Sequence, residues 1–85
     1  MIIREFNLLD FKNKGKEEKL KKRFIEIFKS VKNPKFHILS DSLGDYVIFR
    51  AENGVVEYRL KASYSECLDV LCDLKEIKES KNERD

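Results

Sequence analysis

The 85-residue chain is long enough for one small domain, and it combines 41 % hydrophobic with 40 % charged residues. Globular proteins average about 25 % charged residues, so the composition predicts an ordinary core beneath a highly charged surface. No apolar run approaches the ~20 residues that cross a bilayer, and two cysteines make no disulfide framework, so we expect a cytoplasmic protein without a membrane partner.

Charge is distributed unevenly along the sequence. Residues 12–35 contain ten Lys or Arg and three Glu, a balance of +7. Residues 36–85 contain seven basic and eleven acidic residues, a balance of −4, and the remaining three charges bring the formal net charge to +2. Such asymmetry either orients a charged partner in the field of the protein or is neutralised within one small fold.

The N-terminal segment, residues 1–11, is predicted to be extended over Met1 to Phe6. Its apolar residues fit neither the helical nor the strand period well. An extended segment would pair with the edge of a sheet, whereas a helical one would be a short lead-in that ends near Gly15.

The clearest helix is predicted at residues 16–32. Its apolar side chains recur on one face of a 3.6-residue repeat, at Leu20, Phe24, Ile27, Phe28 and Val31. Asn33-Pro34 then ends the helix, because proline disfavours the helical conformation of the residue before it.

Three β-strands are predicted at residues 35–40, 45–52 and 55–62, where apolar and polar residues alternate. Asn53-Gly54 is the strongest short signal for a hairpin, since both residues of its tight turn need positive φ. A two-residue turn sets the register and places Arg50 opposite Glu57. The same register directs one apolar set toward the helices: Val47, Phe49, Ala51, Val56, Tyr58 and Leu60.

A second helix is predicted over residues 64–78, because Ser63 and Glu66 form a capping box ahead of an apolar stripe. Residues 79–85 are predicted to be a frayed tail. The chain is thus expected to be a single α+β domain over residues 1–85, in the order (β)αβββα. We expect a three- or four-stranded antiparallel sheet with both helices packed on one face.

The sequence contains no pattern that supports catalysis, a cofactor or a metal, so we expect a protein that is not an enzyme. His37 is the only histidine, and one imidazole needs at least two further ligands to make a metal site. Asp41 and Asp45 could hold a cation through oxygen, although Asp, Ser and Gly are also what a turn requires. Cys67 falls in the apolar stripe of the second helix, where a cysteine is usually a small buried hydrophobe.

The sheet face directed away from the helices is too apolar to be merely solvated. A four-residue loop over residues 41–44 would place Leu39 opposite Tyr46 and His37 opposite Ile48. Aromatic and arginine side chains are enriched at protein interfaces. We therefore predict a partner-binding set on this face: Leu39, Tyr46, Ile48, Arg50, Arg59 and Lys61. The alternatives are that residues 1–11 cover this face or that scattered apolar side chains are tolerated on it.

The basic first helix supports a nucleic-acid interpretation, because clustered lysines can contact several phosphates. The candidate residues are Lys14, Lys16, Lys19, Lys22, Arg23 and Lys29. The αβββα order of residues 16–78 resembles the topology of double-stranded-RNA-binding domains. That family places a lysine cluster at the start of its second helix, whereas residues 63–69 here read SYSECLD and include two acids.

We therefore expect a small binding module that acts through a protein partner, as an inhibitor, adaptor or accessory factor of the phage or mobile-element kind. A nucleic-acid-binding module is the first alternative. A structural subunit that forms homodimers through the sheet face or the N-terminal strand is the second.

Overall fold

The computed structural model describes residues 1–10 and 14–83. The elements in chain order are β1 (Ile2–Asn7), α1 (Lys14–Ser30), β2 (Phe36–Asp41), β3 (Gly44–Ala51), β4 (Val56–Ala62) and α2 (Tyr64–Glu83). A short 3₁₀ turn at Leu8–Asp10 follows β1, and another at Glu52–Gly54 joins β3 to β4. None of the helices in these ranges is both long and apolar enough to cross a membrane. The order is the one that the sequence predicts.

The four strands form one mixed sheet in the spatial order β1-β4-β3-β2. The β2–β3 and β3–β4 pairs are antiparallel, but β1 lies beside β4 and runs parallel to it. The expectation of a fully antiparallel sheet is therefore wrong at this one edge. Parallel neighbours need a long connection, and here that connection contains α1, β2 and β3.

The N-terminal segment is extended, as predicted, and pairs from Ile2 opposite Val56 to Asn7 opposite Lys61. It lies in the plane of the sheet, so the alternative in which it covers the face opposite the helices is wrong. A 3₁₀ turn follows, and the Asn7 Oδ1 accepts the Leu9 N–H at 2.9 Å. The predicted segment also includes residue 11, which lies outside the described residues.

The β3–β4 hairpin has the predicted register, including Arg50 opposite Glu57. Asn53 has a φ of 57° and Gly54 a φ of 88°, both in the left-handed region that an Asn-Gly turn requires. The Val55 N–H donates to the Glu52 carbonyl at 3.2 Å and closes the turn.

The β2–β3 hairpin also has the predicted register, with Leu39 opposite Tyr46. Its turn is tighter than predicted, because pairing continues to Asp41 opposite Gly44. Two hydrogen bonds from side chains hold this turn. The Asp41 Oδ1 accepts the Leu43 N–H at 2.8 Å, and the Ser40 hydroxyl donates to Asp45 at 2.6 Å.

Both helices are displaced slightly from their predicted bounds. The first begins and ends two residues earlier than predicted, at Lys14 and Ser30. The second continues to Glu83, so the prediction of a frayed tail is wrong for residues 79–83. Residues 84 and 85 lie outside the described part of the chain.

The two helices pack on the same face of the sheet, as predicted, and one core joins all three. Its fully buried large side chains include Phe24, Phe28, Phe49, Leu60 and Leu74. The Phe24 and Phe28 rings meet the Phe49 ring edge to face at centroid distances of 4.9 and 5.3 Å, the arrangement that the aromatic quadrupole favours. Because this core uses one sheet face only, the opposite face is left without a covering element in the described part of the chain.

Candidate binding surface on the open sheet face

The sheet face opposite the helices is called here the outer face. The register assigns alternate residues of the four strands to it, namely Ile3, Glu5, Asn7, His37, Leu39, Tyr46, Ile48, Arg50, Glu57, Arg59 and Lys61. All six residues predicted to bind a partner therefore lie on one surface.

Tyr46 and Ile48 are buried on this face, with only 4 % and 2 % of their surface exposed. Both lie on the inner strand β3, where Ile48 is flanked by His37 and Arg59 in the register. Tyr46 is covered in part by Lys61, whose Nζ lies 5.8 Å from the ring centroid. The expectation that Tyr46 and Ile48 are available to a partner is therefore wrong, and the two side chains form the floor of the surface.

The other predicted residues remain accessible. The side chain of Arg50 is 55 % exposed and that of Arg59 is 29 % exposed. Leu39 and Lys61 are half-buried. The predicted residues that remain reachable are thus cationic or aliphatic, and they lie beside the buried Tyr46 and Ile48.

A carboxylate lies at the centre of the outer face, between the two arginines. The Arg50 Nε donates to the Glu57 Oε1 at 3.1 Å, and the Arg59 Nε donates to the Glu57 Oε2 at 2.5 Å. Burial alone would raise the pKa of Glu57. The hydrogen bonds and positive charges of Arg59 and Arg50 outweigh that effect, and the net result is a pKa below the ordinary value. Glu57 is therefore ionised at neutral pH and fixes both arginines.

The Arg50–Glu57 pair was predicted from the hairpin register, but Arg59 was not recognised as its second partner. The signal was available, because residues 57 and 59 are two apart on one strand and so share a face. A guanidinium has five N–H donors, and within the described part of the chain each arginine uses only Nε in this cluster. Glu57 therefore holds each guanidinium in position, and the other N–H groups of the two arginines are left to bind an external anion.

A notch opens at one end of the outer face, with a volume of about 650 Å³. One wall comes from the connection between α1 and β2, at residues 31–33 and 35, and the other is formed by His37 and residues 48–54. The notch contains the predicted residues Ile48 and Arg50. Sequence reasoning missed Lys32 and Lys35, since no local pattern shows that residues 31–35 lie beside the end of β3.

The predicted nucleic-acid residues lie on α1, apart from the core. Lys16, Lys19, Lys22, Arg23 and Lys29 are exposed, and Lys14 begins the helix although its side chain lies outside the described set. Acids are interspersed with these cations, and the Lys29 Nζ lies 3.5 Å from the Glu26 Oε1. The helix surface is therefore of mixed charge.

The remaining candidate groups take part in structural contacts. Asp41 and Asp45 hydrogen-bond within the β2–β3 turn. Cys67 is fully buried, and desolvation together with the nearby Asp45 charge raises the pKa of its thiol. The described residues contain no group of three or more His, Cys, Asp and Glu side chains placed to hold a metal ion.

Comparison with known proteins gives no further guide to this surface. No protein-family model, no curated protein and no solved structure matches the chain.

Proposed function

We propose that the chain is a small binding module that docks a protein partner on its outer face and acts as an inhibitor, adaptor or accessory factor. The observation that carries this proposal is the Arg50–Glu57–Arg59 cluster, two arginines held by a buried carboxylate on a sheet face that no described element covers. Arginine is among the residues that contribute most to binding at protein interfaces.

The cluster is organised before any partner arrives. A flexible arginine loses side-chain entropy when it binds, at a cost of about 0.5–1.5 kcal/mol per immobilised side chain. Glu57 already restricts both guanidinium groups in the free protein, so much of that cost falls on folding rather than on binding. Ile48 and Tyr46 are buried on the same face beside Arg59 and Lys61, so the surface also offers a packed apolar base.

Site-specific photocrosslinking tests this proposal. A benzoylphenylalanine replaces Leu39 on the outer face or, as the matched control, Leu68 on α2, which is 40 % exposed. In cells that naturally produce the protein, we expect a discrete adduct from position 39 and none from position 68. The adduct should weaken in the Arg50→Lys, Arg59→Lys variant, because lysine keeps the charge beside Glu57 but lacks the planar donor fork.

Two results would contradict the proposal. An adduct that forms equally from both positions would show contact without a preferred surface. An adduct with the mass of two copies of the chain would instead support the homodimer, the second alternative that the sequence leaves open.

Nucleic-acid binding by α1 is the second candidate, and the spacing of its cations favours it. Lys16, Lys19 and Arg23 are three and four residues apart, so they share one flank of the helix, and all three are exposed. Three phosphate contacts predict that the logarithm of the affinity falls by about 2 to 3 for each tenfold rise in salt. A gel shift with nucleic acid should be lost in the triple variant Lys16→Gln, Lys19→Gln, Arg23→Gln. The control variant Lys61→Gln should retain it. The absence of any shift at low salt would dismiss this candidate.

A further inference from the structure

We propose that the notch at the end of the outer face receives an acidic side chain of the protein partner, a glutamate or aspartate that adjoins an apolar residue. This inference rests on the proposed function and names the chemistry that the partner must present.

The charges around the notch favour an anion. Three cations line it, Lys32, Lys35 and Arg50, against one acid, Glu52. Lys32 and Lys35 are exposed, and neither forms a salt bridge with a described residue. Their charges are therefore available to the carboxylate of an incoming side chain.

The lining beneath the cations is apolar. Phe49 and Ile48 are buried there, and Val31 and Ala51 contribute from the two walls. A site with an apolar lining and a few polar groups is typical of ligand pockets, whose volumes run from about 300 to 1,000 Å³. An acidic residue with an apolar neighbour matches both parts of this lining.

The shape of the notch is fixed by the fold. β2 begins at Phe36, which pairs with Phe49, whereas β3 continues to Ala51 and so extends past its partner strand. Asn33, with a φ of 51°, and the buried Pro34 direct the chain from α1 into β2 along the far wall. Because the notch exists before binding, its occupant loses little affinity to rearrangement of the protein.

Arg50 joins the notch to the rest of the outer face. Its Nε is bound to Glu57, and its other N–H groups remain as donors at the rim. An arginine fork and a carboxylate form short, charge-assisted hydrogen bonds with defined geometry. A partner held at Arg59 and Lys61 could thus extend one acidic side chain into the notch.

A carboxylate fits this surface better than a nucleic-acid backbone does. A nucleic acid presents a regular series of phosphates and little apolar surface to a groove of this kind. The three cations of the notch lie together at one end of the outer face. Elsewhere on that face the exposed Glu5 is negatively charged and would repel a phosphate backbone. A single carboxylate can bind the cations while its apolar neighbour packs on the lining, and no second negative charge then lies near Glu5.

Nuclear magnetic resonance titration of the full ¹⁵N-labelled chain tests the inference. The probes are acetyl-Leu-Glu-amide, the isosteric acetyl-Leu-Gln-amide and inorganic phosphate. We expect the glutamate peptide to shift the amide signals of residues 33, 35 and 50–54, and to bind at least about tenfold more tightly than the glutamine peptide, because hydrogen bonds to charged groups are the stronger ones. Lys32→Gln with Lys35→Gln should reduce the difference to what Arg50 alone supports, whereas Lys19→Gln with Lys22→Gln, which removes the same charge from α1, should preserve it in full.

Equal binding of the two peptides would overturn the inference, as would equal loss in both double variants. Tighter binding of phosphate than of the glutamate peptide would assign the notch to a phosphate ligand and would overturn it too. The proposed function fails separately, because it predicts the photocrosslink from position 39 whether or not the notch binds a carboxylate.

Discussion

Replacing Glu57 by glutamine tests the arginine cluster directly. The substitution keeps the shape of the side chain but removes its charge and presents an amide NH₂ to one of the two guanidinium groups. Hydrogen bonds to charged groups contribute about 1.5–3 kcal/mol each. The Glu57 side chain is 4 % exposed, but those of Arg50 and Arg59 are 55 % and 29 % exposed, so solvent weakens both contacts.

We therefore expect Glu57→Gln to lower the free energy of unfolding by about 1–3 kcal/mol. For a domain of this size that is a fall of about 5 to 20 °C in melting temperature, measured by circular dichroism. Glu5→Gln is the matched control. Glu5 is exposed on the same face and has no hydrogen bond among the described contacts, so its replacement should change stability by less than about 0.5 kcal/mol.

The pH dependence has a defined sign. The pKa of Glu57 is lowered in the folded protein, so between the folded value and the ordinary value of 4.5 the unfolded chain binds the extra proton. Stability therefore rises with pH in that window. The difference between the wild type and Glu57→Gln should be complete above about pH 5 and should shrink as the pH falls through the folded pKa. A variant as stable as the wild type at pH 7, or a difference that does not change with pH, would refute this account of the cluster.

Further expectations concern the turn, the core and the cysteines. Gly54→Ala should lower the free energy of unfolding, measured in urea, by about 1–2 kcal/mol. The reason is the backbone φ of 88°, which strains any side chain, since no atom lies within 4 Å of the added Cβ. An unchanged free energy would contradict the turn geometry. Phe49→Ala should lower the free energy of unfolding by about 3–5 kcal/mol, because it leaves a cavity in the core. Leu43→Ala, at a position 70 % exposed, should lower it by less than about 0.5 kcal/mol. Similar losses in the two variants would mean that the core is not centred on the Phe49 ring. Ellman's reagent should react rapidly with the exposed Cys72 and reach the buried Cys67 only on unfolding, whereas two fast thiols in the native protein would show that Cys67 is accessible.

The hairpins could be predicted because local chemistry determines them. Asn53-Gly54 permits only a tight reversal, and that reversal fixes every pair between β3 and β4. The parallel pairing of β1 could not be predicted, since its neighbour is 54 positions away in the sequence, from Ile2 to Val56, and no local signal links them.

The candidate site was predicted in part for a similar reason. Alternation along a strand gives the face on which a residue lies but not how deeply it is covered. Tyr46 and Ile48 were therefore assigned to the correct face and wrongly expected to be exposed. Their covering side chains come from the adjacent strands, and the notch likewise depends on the tertiary approach of residues 31–35 to the end of β3.

The position of β1 has a consequence for the order in which the molecule is made. Ile2 and Ile3 are translated before the strand beside which they belong, which follows more than fifty residues later. Until then the nascent segment has no strand to pair with, and even in the finished protein both isoleucines are about half exposed. Completion of this edge therefore waits until β4 has been made, and the hairpin of β3 and β4 can assemble before β1 pairs with it.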